Sequence, residues 1–319
     1  MDRTDTKILL LFSAGLALFP LLVANPYYLS VLVFVGIHSL LAMGLTVLLG
    51  FAGQLSLCQA AFFGTGAYVS GILTTKIGVS PWLGIICGMG LTGAVAIVVG
   101  LPALKLRGHY LAMATLGFGE IVNIVLKEWV QVTGGPSGLT GIPRLALGGV
   151  SLNTELKYYF FVWLIVMAVF VFLSNLVRSR VGRALLALSR SEQAAEVMGV
   201  PVSRYKIKTF FLASLLSSLA GSLYAHFITV ISPESYSITF SIMIVLMVIV
   251  GGKGSLWGSL VGAFVMTLLP EYLRVFEDWD IIVYGAVLLF ILMIMPNGLA
   301  QGLAFLFQKA SSLKQGGRE

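Results

Sequence analysis

The chain has 319 residues, of which 58% are hydrophobic and 10% charged, with a formal net charge of +7 and a mean hydropathy of +0.98. A soluble domain needs far more charge on its surface, so this composition excludes an ordinary water-soluble protein and describes an all-α polytopic membrane protein whose exterior meets lipid. In such a protein an excess of lysine and arginine follows from basic cytoplasmic loops, and it calls for no nucleic-acid partner.

A helix needs about 20 apolar residues to cross about 30 Å of hydrocarbon. Such runs fall at 8 to 24, 28 to 50, 56 to 75, 82 to 103, 110 to 126, 157 to 175, 209 to 231, 238 to 250, 256 to 273 and 280 to 295. They predict about ten transmembrane helices, or eight if the short eighth and tenth runs do not cross, in a single membrane domain over residues 1–319. The first run follows Arg3 and Lys7 and reaches Asn25-Pro26 without a small-x-small cleavage site, so it reads as an uncleaved helix.

Between the second and third runs lies LLGFAGQLSLCQAAFFGTGAY, with Gly50, Gly53, Gly64 and Gly66 around Gln54, Ser56 and Gln59. Amides and hydroxyls at membrane depth are tolerated only when buried in protein or lining a cavity. Two readings stand: an interrupted helix at the translocation pathway, whose exposed dipole ends and backbone groups serve a substrate route, and a plain cytoplasmic turn. Cys58 and Cys87 both lie in apolar segments and read as small packing residues, not as a disulfide or metal site.

In the fifth run Glu120 sits mid-span, with Asn123 and Lys127 on the same helical face. An intramembrane carboxylate is expensive enough to need a reason, either a place on the pathway or a subunit interface, or structural anchoring. His38 and His226 also lie within spans and read as hydrogen-bonded packing.

Residues 178–208 form the one long charged segment between spans. Ser189 and Glu192 have capping-box spacing, which predicts a helix starting at Arg190, and Gly199 and Pro201 end it. The result is a short cytoplasmic helix carrying Ala194, Ala195, Val197 and Met198, flanked by Arg178, Arg180, Arg183, Arg190, Arg204, Lys206 and Lys208. A soluble partner could grip such a knob.

Gly254, Gly258 and Gly262 recur every fourth residue, and Gly84 and Gly88 repeat the spacing, which allows close helix approach. GGKGS at 251–255 is not a phosphate loop, because Gly254 follows the lysine where Ser or Thr is required and Met247 occupies the earlier glycine position. No nucleophile motif, metal-ligand spacing or proton-relay run is present, so nothing in the sequence calls for a cofactor or an enzymatic activity. If the chain takes part in driven transport, the energy conversion lies on another chain. With ten spans the basic clusters at both ends, at Lys105 and Arg107, and at 178–208 fall on one side, which is the cytoplasm.

The chain resembles the permease subunits of branched-chain amino acid ABC importers, of the LivM type. The resemblance is carried by GQLSLCQAAFFGTGAY at 53–68, LRGHYLAMATLGFGEI at 106–121, TGGPSGLTGIP at 133–143 and SRVGRALLALSRSEQAAEVMGVPVSRYKIKTF at 179–210. It continues through AGSLYAH at 220–226, MVIVGGKGSLWGSLVGA at 247–263, LPEYLR at 269–274 and PNGL at 296–299, in order along most of the chain. Cys58 stands where the family usually has glycine, and Ser191 replaces a common acidic residue.

The resemblance implies a multi-pass protein of the bacterial inner membrane, with both termini cytoplasmic. It also implies as partners a second, homologous permease subunit, two cytoplasmic ABC ATPase subunits and a periplasmic substrate-binding protein, with membrane lipid around the permeases. Ser189, Glu192, Ala194, Ala195 and Gly199 then belong to the ATPase-coupling loop, and Gln54, Ser56, Gln59, Glu120 and Asn123 are candidates for the pathway. Related permeases carry other amino acids, urea or short-chain amides, which is the alternative function. A secondary transporter is a further rival, but it should carry its own coupling-ion residues and has no need of a capped cytoplasmic helix.

Overall fold

The computed structural model describes residues 25–147 and 150–273, with isolated positions between 12 and 20 and between 285 and 299. The described part is a helical bundle. Its α-helices of six residues or more are α1 (Pro26–Leu45), α2 (Gln59–Lys76), α3 (Pro81–Ala103), α4 (His109–Glu128), α5 (Glu155–Arg178), α6 (Arg180–Arg190), α7 (Glu192–Val197), α8 (Val202–Ile228), α9 (Ile238–Gly251) and α10 (Leu256–Leu273).

Among the described residues six helical stretches are long and apolar enough to cross a membrane: Pro26–Phe51, which is α1 with its π-helical extension, and α3, α4, α5, α8 and α10. α2 falls outside that group because hydroxyls, glycines and an amide dilute its apolar residues, and α9 has 14 residues. The expected runs at 8 to 24 and 280 to 295 lie outside the continuously described residues, so the described fold supports an all-α membrane protein without establishing ten spans.

Local chemistry accounts for most boundaries. α1 begins where Asn25 Oδ1 accepts the Tyr27 N–H at 3.0 Å and Pro26 presets the first helical turn. It runs into a π-helical turn over Thr46–Phe51, a rare form that is frequent at functional sites. α8 starts seven residues earlier than the apolar run at 209 suggested, because Lys206 and Thr209 are buried and extend its packed face. Two short antiparallel pairs that periodicity did not reveal, Leu139–Thr140 with Val230–Ile231 and Ala146–Leu147 with Val150–Ser151, close the loops around 139–151.

The centre of the bundle is α1, α2 and α8. α1 is nearly enclosed, with Val33, Val35, Ile37, Leu40, Leu41 and Met43 at 0% exposure. Small residues let α2 and α8 touch backbone to backbone: a Cβ at Gly66 would collide with the Ser218 carbonyl, and one at Gly221 with the Phe63 carbonyl. The glycine strip of α10 does the same against α9, since a Cβ at Gly258 would stand 2.6 Å from the Gly251 carbonyl oxygen. Cys58 is buried and Cys87 exposed, and neither forms a disulfide.

Candidate functional site

The connection 52–58 leaves the π-helical turn with the Ala52 N–H on the Val47 carbonyl at 3.1 Å and the Gln54 N–H on the Leu48 carbonyl at 3.0 Å. Beyond that point side chains of other helices take over from backbone partners. The Leu57 N–H donates to Thr115 Oγ1 of α4 at 3.0 Å, and the Ala60 N–H donates to Ser241 Oγ of α9 at 3.1 Å. Gln59, the first residue of α2, is fully buried and its Oε1 accepts the Ser217 hydroxyl at 2.5 Å. Ser217 lies about 22 Å along α8 from its start at Val202, so α2 begins in the middle of the bundle and not at its end. The structure therefore has an interrupted helix with buried non-helical backbone, not a plain turn.

Polar atoms accumulate at this break. Gln54 is 3% exposed and neither of its amide atoms has a partner among the described residues, as is also true of Gln59 Nε2 and Thr46 Oγ1. Ser56 is buried with its Oγ 3.2 Å from Cys58 Sγ. In α4 the stripe Thr115, Gly119 and Asn123 faces inward: a Cβ at Gly119 would lie 3.7 Å from the Cys58 Cα. Asn123 Nδ2 donates to the Pro233 carbonyl at 2.9 Å and the Tyr236 carbonyl at 3.3 Å, tying α4 to the turn before α9. Glu120 follows Gly119, is half-buried, and has no ion pair or hydrogen bond among the described residues, Lys127 included. His226 bonds Ser70 Oγ at 2.8 Å and the Pro143 carbonyl at 2.7 Å, and His38 bonds Thr267 Oγ1 at 2.8 Å, so both histidines are tied into helix packing.

The charged segment differs from the capping-box expectation. Ser189 does not cap; it lies inside α6 and its hydroxyl donates to the Leu186 carbonyl at 2.9 Å. The chain breaks at Ser191, whose Oγ accepts the Ala194 N–H at 3.2 Å, and α7 starts at Glu192 instead of Arg190. Glu192 does not reach back to a serine N–H but joins three elements, pairing with Arg107 of the α3–α4 loop at 3.1 Å and with Lys206 of α8. Ala195 is buried, so it is not offered to a partner, whereas Ala194 is exposed and Val197 and Met198 are 87% and 83% exposed. Gly199 ends the helix with φ +81°.

The two polar regions touch. A Cβ at Gly53, where φ is +67°, would lie 3.1 Å from the Ser189 Cα, and a cleft of about 290 Å³ between them is lined by Gly53, Arg107, Ser189, Ser191 and Glu192. Sequence reasoning did not single out Thr115, Ser217 or Ser241, and it read Arg107 and Lys206 as basic loop residues without their pairing to Glu192. The hydroxyl residues were readable only as polar groups in apolar helices, and the ion pairs join residues far apart in the chain.

Residues 27–292 match a family model described as the branched-chain amino acid transport system / permease component. The chain is 30% identical over 287 residues to the high-affinity branched-chain amino acid transport system permease protein LivM of Escherichia coli, covering 82% of this chain and 67% of that one. It is 24% identical to the LivH permease protein of the same organism, covering 82% and 90%, and 26% identical to the ribose import permease protein RbsC of Bacillus subtilis, covering 80% of each. No solved structure matches it. With a buried helix break at its centre and a capped helix at one end of its bundle, the chain belongs to the family of branched-chain amino acid transport permeases.

Proposed function

We propose that the chain is one permease subunit of an ABC importer that carries branched-chain amino acids across a bacterial inner membrane. A second, LivH-like permease stands beside it, two ATPase subunits dock on the cytoplasmic face with α7, and a periplasmic binding protein delivers the substrate. The chain itself hydrolyses nothing. Both termini lie in the cytoplasm, as the basic clusters suggest, and the whole chain is one membrane domain.

The observation that carries this reading is α7: six residues, capped at Ser191, anchored through Glu192 to Lys206 and Arg107, and presenting Val197 and Met198 to the outside. Two large apolar side chains exposed beside Arg190 and Arg204, outside every transmembrane stretch, suit a protein partner better than water or lipid. When ATP binding closes the ATPases, a helix held in this way moves as a rigid body. Its two attachments are then available to carry the motion, through the Arg107 loop to the start of α4 and through Ser189 against Gly53 to the break before α2. The pathway residues are Gln54, Ser56 and Gln59 at the break and Glu120 on α4, while Asn123 holds the wall in place.

Expression of this chain with its partner permease, ATPases and binding protein in proteoliposomes tests the proposal. ATP-dependent uptake of leucine, isoleucine or valine is expected only when all components are present. Uptake by this chain alone, driven by an ion gradient, would overturn it in favour of a secondary transporter.

A further inference from the structure

We propose that the start of α2 binds the carboxylate of a substrate α-amino acid, with the Gln54 and Gln59 amides as hydrogen-bond donors and Glu120 facing the α-ammonium. This rests on the importer reading and adds to it a specificity-determining site within the membrane.

Three independent observations meet here. α2 has 18 residues and begins deep in the bundle; Cys58 lends it no side-chain cap, and Ser241 Oγ takes only one of its first-turn N–H groups, that of Ala60. Its aligned peptide dipoles therefore present partial positive charge where water is scarce, a place that favours an anion. Gln59 is fully buried, and with its Oε1 engaged by Ser217 its amide nitrogen is left as an unused donor at the first position of the helix. Gln54 is buried with its whole amide unpartnered among the described residues. Donors left unpaired inside a membrane protein are costly, and a carboxylate is the acceptor that uses both an amide N–H and a helix start.

Glu120 supplies the opposite charge. It directly follows Gly119, which packs over Cys58 at the foot of α2, and no cation among the described residues neutralises it. One positive helix end and one carboxylate on adjacent elements match a zwitterion. A sugar or a neutral amide would leave both charges without a counterpart.

The test uses the complete importer, with partner permease and ATPases, in lipid nanodiscs without the binding protein, so that the binding protein's own selectivity does not enter. Binding of radiolabelled L-leucine is competed with L-leucine, L-leucinamide, which lacks the carboxylate, and 4-methylpentanoate, which lacks the ammonium. Leucinamide is expected to compete at least about tenfold more weakly than leucine, as for a site built to hydrogen-bond the missing group. Gln59→Glu, which keeps an acceptor for Ser217 but adds negative charge at the helix start, is expected to weaken leucine and 4-methylpentanoate alike. Glu120→Gln is expected to weaken leucine and leave 4-methylpentanoate unchanged. Gln54→Leu, judged against its thermal midpoint, serves as a second variant if Gln59→Glu misassembles. Leucinamide competing as well as leucine, D-ribose displacing leucine, unchanged leucine binding in well-assembled Gln59→Glu or Gln54→Leu, or no saturable leucine binding overturns the proposal. Binding-protein-stimulated ATP hydrolysis by the same complex separates the two readings: its absence removes the importer reading, whereas its presence with any overturning result removes the carboxylate site alone.

Discussion

Gly53 rests against Ser189: the backbone of the helix break and the last turn of α6 approach so closely that a Cβ at position 53 would stand 3.1 Å from the serine Cα. No flexible side chain lies between the two, so displacement of one moves the other. Gly53 also has a φ of +67°, which a β-branched residue adopts only at a cost of about 1–2 kcal/mol.

Gly53→Val is therefore expected to uncouple the break from the charged segment. Substrate-stimulated ATP hydrolysis should fall and the thermal midpoint of the purified protein should drop. Gly78→Val serves as the control, because φ there is +74° but nothing lies within 4 Å of the added Cβ. Equal ATPase stimulation in the two variants would show that the Gly53–Ser189 contact transmits nothing.

Glu192 pairs with Lys206, whose side chain is 6% exposed, and with Arg107. Removing the carboxylate strands a buried cation, whereas Lys206→Met removes the charge and keeps the packing of the stem. Glu192→Leu should then destabilise by about 2 kcal/mol, between the values for exposed and fully buried pairs, and Lys206→Met by less. Thermal melts of both variants and of the double variant decide this; a Lys206→Met effect as large as that of Glu192→Leu would mean that the lysine is not held by Glu192.

For Glu120, the half-buried carboxylate on α4, Glu120→Leu should abolish uptake. Glu120→Gln, which keeps the capacity to hydrogen-bond without the charge, should retain assembly with reduced uptake. Uptake measured at matched membrane expression is the readout. Normal transport by the leucine variant would show that the carboxyl is dispensable.

Apolar run length and proline and glycine punctuation located most described helices, because lipid leaves a spanning segment few alternatives to helix. The break at Gln54, Ser56 and Gln59 was legible for the same reason, since polar groups in an apolar run must be enclosed. What closes around them was not legible: Thr115, Ser217 and Ser241 meet Leu57, Gln59 and Ala60 only through tertiary packing. The cap of α7 was misassigned by two residues because Ser189 and Ser191 are both good caps. α6 continues through Ser189, with Leu185 and Leu188 buried against the bundle, and this leaves the capping to Ser191. Ala195 looked like a contact for a partner because it is small, but its size fits a buried position within this chain.

The central claim is that α7 is where the ATPases dock, and its exposed residues test it most directly. Ala195→Trp would disturb the chain's own packing, so the informative change is Val197→Glu with Met198→Glu, which leaves every buried contact in place and replaces the apolar surface with charge. The importer carrying this double variant, inserted at normal level and with an unchanged thermal midpoint, should be purified through a tag on this chain and its ATPase content measured. Loss of most of the co-purifying ATPase, together with loss of substrate-stimulated hydrolysis, is the expected result; full ATPase content with uptake at the unaltered rate would contradict it.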